Sequence, residues 1–457
     1  MTSDILSELT SSLPGAVLTG AVSTEAYRHD RALDPDAGTP LAVVLPRSTT
    51  EVQTAVRWAA RHHVPIVPRG AGTGLSGGAT AVHGGLVLST ERMRDVTIDT
   101  ATRMATVQPG LLNAELKAAA ADAGLWYPPD PASFEICSIG GNIATNAGGL
   151  CCVKYGVTAD YVLSLEVVLA DGRAVRLGRP LIKDVAGLSL TSLFVGSEGT
   201  LGIVTEITLR LLPTPPPTRW VVARFDSSDD AARAIAEIAC TVRPSVLEYM
   251  DRIAINAVED RLHLGLDRDA AALVLAGCDD VDPQSRDLNA MQAVFEQHQP
   301  SSVHQPPQEE GDAIAHARRL AIPAVEEKGR LLLADVGVSI PRLAELIGGV
   351  EEIAARNAVT IAFIAHAGDG NTHPLVVFDP TDVDEAARAE RAYGELMTLA
   401  IGLGGTITGE HGVGKLKRPW LADQVGDDAL DLGQRIKAAL DPHGILNPGT
   451  IFEDDHS

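Results

Sequence analysis

The chain has 457 residues, 37 of them basic and 60 acidic, for a formal net charge of −23; at roughly 150 residues per domain, two or three domains are expected. A surface that acidic repels phosphate backbones and anionic lipid, so nucleic acid and membrane surfaces are excluded as first partners. Apolar residues at 45% and charged residues at 21% fit a folded globular chain rather than a disordered one. No uncharged apolar run reaches the ~18 residues of a spanning helix. The start, MTSDILSELT, has acids where a secretory signal needs Lys or Arg. The five cysteines lack CxxC spacing, which argues against a four-cysteine zinc site or a ferredoxin-type cluster. A reduced, cytoplasmic protein is expected.

In chain order, residues 41–45 read as a short apolar strand, 49–62 as a helix with apolar residues at helical spacing, and 64–67 as a strand. Residues 163–170 and 174–177 flank Asp171-Gly172 and read as a hairpin. The cluster LLPTPPP at 211–217 ends a strand-like run and marks a domain boundary, because proline cannot continue a sheet ladder. Beyond it, strands at 220–225, 246–250 and 272–276, with a helix at 229–240 and another helix after 250, predict a second α+β domain. Residues 300–311 read as a loop. The turn-rich DPHGILNPG at 441–449 follows the last clear helix.

Glycine is concentrated in PRGAGTGLSGG at 68–78 and GGNIATNAGG at 140–149. Gly72, Gly74 and Gly77 match GxGxxG after a strand, but the run continues through Gly78, Gly84 and Gly85 into the strand-like 86–89. A Rossmann fingerprint needs a helix to start inside the glycine run, so dinucleotide binding of that type is rejected. Two tight loops rich in backbone N–H groups remain, able to wrap an anion or simply to turn the chain between strands.

The densest chemistry lies in HAGDGNTH at 366–373 and TGEHGVGK at 408–415. Asp369-Gly370 between strand-like 361–365 and 375–378 is a hairpin signal. Centred there, the hairpin places His366 directly opposite His373, with Cβ atoms ~5 Å apart on one face. Two imidazoles so placed suit one metal ion, and Glu410 could supply an oxygen ligand with a position left open. Hydrogen-bonded core histidines beside a glycine turn would carry the same pattern.

PRGAGTGLSGG, PPDPAS at 128–133, IGGNIATNAGG, KYG at 154–156 and VGSEGTLGIVTE at 195–206 together resemble the FAD-binding domain of the vanillyl-alcohol oxidase/p-cresol methylhydroxylase superfamily. Within it the chain is similar, from about residue 25 to its C-terminus, to the D-lactate dehydrogenase, glycolate oxidase catalytic subunit and D-2-hydroxyglutarate dehydrogenase group. The resemblance implies an α+β fold: a PCMH-type FAD-binding domain at 1–213, an α+β cap domain on a mostly antiparallel sheet at 214–426, and a segment at 427–457 that returns to the flavin. It implies that the backbone of Pro68, Arg69, Gly70, Ala71, Gly72, Thr73, Gly74, Leu75 and Ser76 and the stretch Gly140, Gly141, Asn142, Thr145, Asn146 and Gly148 hold FAD. Pro131 and Ser133 of PPDPAS, Gly199 and Ile203 on the adenine side, and Asn447 complete the set. Amide donors carry no net charge, so an acidic protein can bind an anionic cofactor this way. The 68–78 loop has neither His nor Tyr, so non-covalent FAD is expected.

The same resemblance implies His366, His373 and Glu410 as ligands of a divalent metal, usually zinc, and His411 as the catalytic base. Arg318, in HARRLAIPA, matches the arginine that clamps the substrate carboxylate, with Arg319 beside it as the competing candidate. Relatives acting on 2-hydroxyglutarate carry further polar and basic groups shortly after that arginine, where this chain has Ile322 and the apolar 331–333, with Lys328 and Arg330 nearby. A second carboxylate would lack an obvious partner there, and an unpaired buried charge is expensive. The implied activity is oxidation of a D-2-hydroxy acid (D-lactate, glycolate or a longer apolar analogue) by hydride transfer to flavin N5. The alternatives are D-2-hydroxyglutarate dehydrogenase, a flavin subunit of a heteromeric glycolate oxidase, and an alkylglycerone-phosphate synthase relative, against which the metal pattern speaks. Electrons would leave to a quinone, an electron-transfer flavoprotein or a partner subunit, and a homodimer is expected. The vicinal Cys151 and Cys152 read as small buried apolar residues rather than a redox pair.

Overall fold

A computed structural model describes residues 2–280 and 285–453. They form two compact units: one holds the chain up to Ala147, Val157–Thr214 and the chain from Glu410 onward, the other Gly148–Gly156 and Pro215–Gly409. Among the described residues no helix is long and apolar enough to cross a membrane.

The first unit contains two larger sheets. In the four-stranded one the order is Val17–Leu18, Ala42–Val44, Leu86–Ser89, Ile66–Arg69, with Leu86–Ser89 parallel to both Ala42–Val44 and Ile66–Arg69. Helix Thr49–His62 makes the crossover, and its ends follow from local chemistry. Ser48 caps it by accepting from the Glu51 amide, and His63 leaves it in the left-handed conformation. Val52, Ala55, Val56, Trp58 and Ala59 form its apolar stripe against the sheet core. The glycine run from Gly77 to Gly85 leads into strand Leu86–Ser89 with no helix between, as its lack of helical periodicity requires. The second sheet is antiparallel, in the order Val96–Asp99, Met104–Val107, Ile203–Arg210, Val162–Val168, Ala174–Gly178; the last two are the expected hairpin. After the final helix, Asp427–Leu440, Leu446 bridges to Ile66, so the chain end runs along the edge of the first sheet.

The second unit is built on one antiparallel sheet, in the order Ser302–His304, Arg219–Phe225, Ala272–Cys278, Val246–Asp251, Thr360–His366, Asn371–Phe378, Arg330–Leu333, with Val336–Gly337 also pairing to Asn371–Phe378. Helices Arg252–Leu262, Gln308–Arg319 and Ala321–Glu326 share a core with one sheet face: Val258, Ala317 and Ala321 pack with Met250, Ile364, Leu375 and Val377. The 300–311 stretch is not a loop: Ser302–His304 forms an edge strand on Arg224, Ala223 and Val222, and Gln308 opens a helix. Edge strands this short carry little sequence signal, because one flank of the ladder faces solvent and alternation is not enforced. Together, mixed helices and largely antiparallel sheets make the chain α+β.

Candidate active site

In the first unit, strand Ile66–Arg69 delivers the chain to Gly70, where an added Cβ would lie 2.3 Å from Ser138 Oγ. That hydroxyl accepts from the Ala71 amide at 3.3 Å and from the Gly141 amide at 3.2 Å, so one oxygen ties the two glycine loops together. Gly72 has φ +73°, and Gly199, at φ +72°, lies where a Cβ would sit 2.8 Å from Pro68. The structure thus brings Pro68, Gly70, Ala71, Gly141 and Gly199 into one neighbourhood. The Arg69 guanidinium packs against Gly72, where a Cβ would lie 2.0 Å from its Nη2, and donates to the His29 carbonyl at 2.8 Å. Pro131 and Ser133 form a turn whose carbonyls accept from Phe134, Ile136 and Cys137.

Other members of that set have structural duties. The Asn142 side chain accepts from Asn113 at 3.0 Å in a buried network with Cys137. The Asn146 oxygen holds the Ala159 amide at 2.8 Å, Thr145 bonds back to Gly141, and Ile203 packs in the first sheet's core. Gly148 opens the short segment that belongs to the second unit. Asn447 donates to the carbonyls of Gly78 at 2.8 Å and Glu198 at 2.7 Å, joining the LNPG turn to two other motifs. Ser76 Oγ and Asn447 Oδ1 are buried with no hydrogen-bond partner among the described residues, the condition expected where a bound polar ligand completes the contacts. A close-approach glycine cradle beside such atoms fits a flavin dinucleotide.

In the second unit, period-two alternation puts Glu248 on the face of Val246 and Met250, His366 on that of Ala362 and Ile364, and His373 on that of Leu375 and Val377. One face that is aliphatic along most of its length therefore becomes polar at one end. His366 pairs with Asn371, and His373 with Ile364, so the two histidines are diagonal rather than opposite. The expected register fails because the turn uses four residues, 367–370, with Gly370 at φ +84°. The slip is two positions, an even number, so both rings stay on one face; their centroids are 5.3 Å apart at 90°.

Glu248 and Asp335 escaped the sequence analysis. Glu248 Oε1 is 2.8 Å from His366 Nδ1 and Oε2 is 2.9 Å from Arg318 Nε, with all three side chains at most 5% exposed. Nδ1 faces that carboxylate, so Nε2 is the ring nitrogen left to coordinate an ion. Asp335, fully buried, lies 3.8 Å from His373 Nδ1 and accepts from Thr408 Oγ1 at 2.7 Å and the Gly409 amide at 3.0 Å. Asp335 and His373 each present a possible ligand atom within 4.8 Å of the other. A lone acid inside an apolar strand run, as in VLEYM and LLLADVGV, was the available signal, since buried charges require partners. Arg318 is buried and Arg319 only half-buried, Lys328 is exposed and paired with Asp260, and Ile322, Leu331 and Leu333 pack against the core.

Gly409 is held at Asp335 and pressed against Asn371, where a Cβ would lie 2.2 Å from Oδ1; the next residue in the chain is Glu410. Glu410 and His411 are both half-buried, with Glu410 Oε1 3.9 Å from His411 Nε2. Cys151 is buried and Cys152 half-buried.

The chain aligns over 100% of its length with 97% of p-cresol methylhydroxylase crystallised with substrate, at TM-score 0.84 and 18% identity. The fold is therefore that of the vanillyl-alcohol oxidase/p-cresol methylhydroxylase flavoproteins. Residues 40–178 match the FAD binding domain family and residues 214–451 match the family of FAD linked oxidases, C-terminal domain. Among curated relatives, glycolate oxidase subunit GlcD of Bacillus subtilis is 43% identical over 91% of this chain and 90% of its own length. D-lactate dehydrogenase of Archaeoglobus fulgidus is 34% identical over 94% of this chain and 96% of its own. The chain belongs to the FAD-linked oxidase family and is an FAD-linked oxidoreductase.

Proposed function

We propose that this enzyme oxidises a D-2-hydroxy monocarboxylate, such as D-lactate, glycolate or a longer apolar analogue, to the 2-oxo acid. The observation that carries it is the buried Glu248 that holds both Arg318 and His366 on the sheet face that carries His373. Names of the relatives point to the same substrate class: a glycolate oxidase subunit and a D-lactate dehydrogenase. Residues 1–213 would hold non-covalent FAD, 214–426 the substrate and cation, and 427–457 would return to the flavin. FAD supplies the hydride acceptor for the substrate α-hydrogen. His366, His373 and Glu410 would hold a divalent cation, zinc in the first instance, whose chemistry is to acidify a substrate hydroxyl.

Within that frame the chain's own residues divide the work. Arg318 binds the substrate carboxylate, and Glu248 fixes the guanidinium so that little orientation is lost on binding. His411 takes the hydroxyl proton, a task suited to an imidazole with a pKa near neutrality. Loss of that proton and of the α-hydrogen as hydride leaves the carbonyl of the product. Ile322, Leu331 and Leu333 present aliphatic carbon where a second carboxylate would need a cation, which favours short or apolar side chains over 2-hydroxyglutarate.

Bleaching of the flavin by D-lactate and glycolate under anaerobic conditions, with L-lactate inert, is the expected result. A clearly higher kcat/KM for D-2-hydroxyglutarate than for any monocarboxylate would reject the substrate assignment. The name of the Bacillus subtilis relative favours a partner subunit as electron acceptor. Co-purification of a tagged chain from its native host, with a cytoplasmic fraction as source, would identify it.

A further inference from the structure

We infer that Glu198 is the positioning residue for the Glu410–His411 segment. The inference rests on the assignment of His411 as base. Glu198 lies in GSEG, far from His411 in sequence, yet its two carboxylate oxygens accept from consecutive amides just beyond it: Val413 at 2.7 Å and Gly414 at 2.9 Å. Charge-assisted bonds of this kind are roughly twice as strong as neutral ones. The anchor is itself held. Glu198 has φ +50°, a left-handed conformation that is unfavourable for a non-glycine residue, and Asn447 donates to its carbonyl at 2.7 Å.

The surroundings leave the turn little freedom. Gly412 has φ +84°, and a Cβ there would lie 2.9 Å from the Glu198 carboxylate. Gly414 has φ +57° and would collide with the Ser76 carbonyl at 1.9 Å; that carbonyl also accepts from the amides of Lys415 and Leu416. Lys415 Nζ reaches the Thr80 carbonyl at 3.0 Å, and the Ile451 amide reaches Gly414. Burial raises the Glu198 carboxyl to about 7, while the two amides and Lys417 oppose the shift and Asp30 adds to it. A carboxylate kept in so unfavourable a place, with both oxygens on one turn, serves that turn. A base displaced by ~1 Å loses on the order of 10²-fold in rate, so the turn after His411 is where such control matters.

The test is hydrogen–deuterium exchange together with steady-state kinetics on the FAD-loaded enzyme. In Glu198→Gln, exchange across residues 412–415 should accelerate about 10-fold or more while flavin content holds, since one charge-assisted acceptor is lost. kcat should fall about 10- to 100-fold with KM nearly unchanged. Adding Glu198→Gln to His411→Ala should cost nothing further, because the anchor acts through the base. Gly412→Ala, which pushes on the same carboxylate from the other side, should reproduce the exchange signature if Glu198→Gln folds poorly. Unchanged exchange in both variants overturns the proposal, as does an additive double mutant. If His411→Ala alone turns over normally, the base assignment falls, and exchange across 412–415 still decides whether Glu198 anchors the turn.

Discussion

Glu248 bridges two groups of opposite chemical use, an imidazole and a guanidinium, from a position 1% exposed. Pairing of this kind offsets the cost of burying charge only when the geometry is good; here Oε1 meets His366 Nδ1 at 2.8 Å, while Oε2 and Arg318 Nε, 2.9 Å apart, form an ion pair without hydrogen-bond alignment. Two kinetic consequences separate the proposed roles. His411→Ala should lower kcat by the ~10²–10⁴ typical of general-base loss, with FAD and metal content unchanged. Arg318→Ala should chiefly raise KM, because the carboxylate it binds changes little on the way to the transition state. Near-normal flavin reduction in the His411 variant, or failure only through lost metal, would remove the base assignment.

Asp251 gives a separate pH handle. It caps helix Arg252–Leu262 by accepting from Ala254 at 2.8 Å, yet burial lifts its carboxyl to about 7. Its ordinary value is near 4. An acid raised on folding contributes stability that is complete below the unfolded value and is lost as pH rises through the folded one. Wild type should therefore lose stability relative to Asp251→Asn between pH 5 and pH 8. Residual solvent contact at the residue holds the loss to about 1–2 kcal/mol. Urea unfolding of both proteins at the two pH values measures it, and parallel pH dependences would show that Asp251 is ionised throughout.

At the scale of elements, the site exists because one sheet face changes character along its length. Leu331 and Leu333 pair with Val377 and Leu375, so they stand on the face of His373, one strand further out. Leu333→Lys places a cation on that face with its stem still packed, as lysines in half-buried positions do. The ratio of kcat/KM for D-2-hydroxyglutarate to that for D-lactate should rise by about 10-fold or more, the scale of a new specific contact. An unchanged ratio in a folded, yellow variant would place the substrate side chain away from strand Arg330–Leu333.

At the scale of the whole molecule, the two implied groups make separable demands. The glycine cradle lies in the first unit, and His366 and His373 lie in the second. Chelation should therefore abolish turnover while the flavin absorbance stays with the protein. Acid precipitation should then release the flavin into the supernatant, since no His or Tyr stands in the 68–78 loop to retain it. Full activity in a metal-free preparation, or yellow colour left in the pellet, would contradict the respective half.

Features set by local chemistry can be read directly from the residues. Period 3.6 and a Ser48 cap gave helix Thr49–His62, Asp-Gly turns flagged both hairpins, and unbroken glycine spacing ruled out a helix after Gly77. Family motifs supplied the flavin fold. The 366/373 register was missed by two positions because turn length is settled by the strands it must join, and Asp-Gly marks a turn without fixing its size. The partners of Glu248, Asp335 and Glu198 were illegible for a deeper reason. Each is an acid whose partners lie on segments distant in sequence: Glu248 with Arg318 and His366, Asp335 with Thr408, Glu198 with Val413 and Gly414. Only tertiary structure decides such pairings, because burial raises the cost of a charge until a partner meets it, and no local pattern encodes which partner arrives.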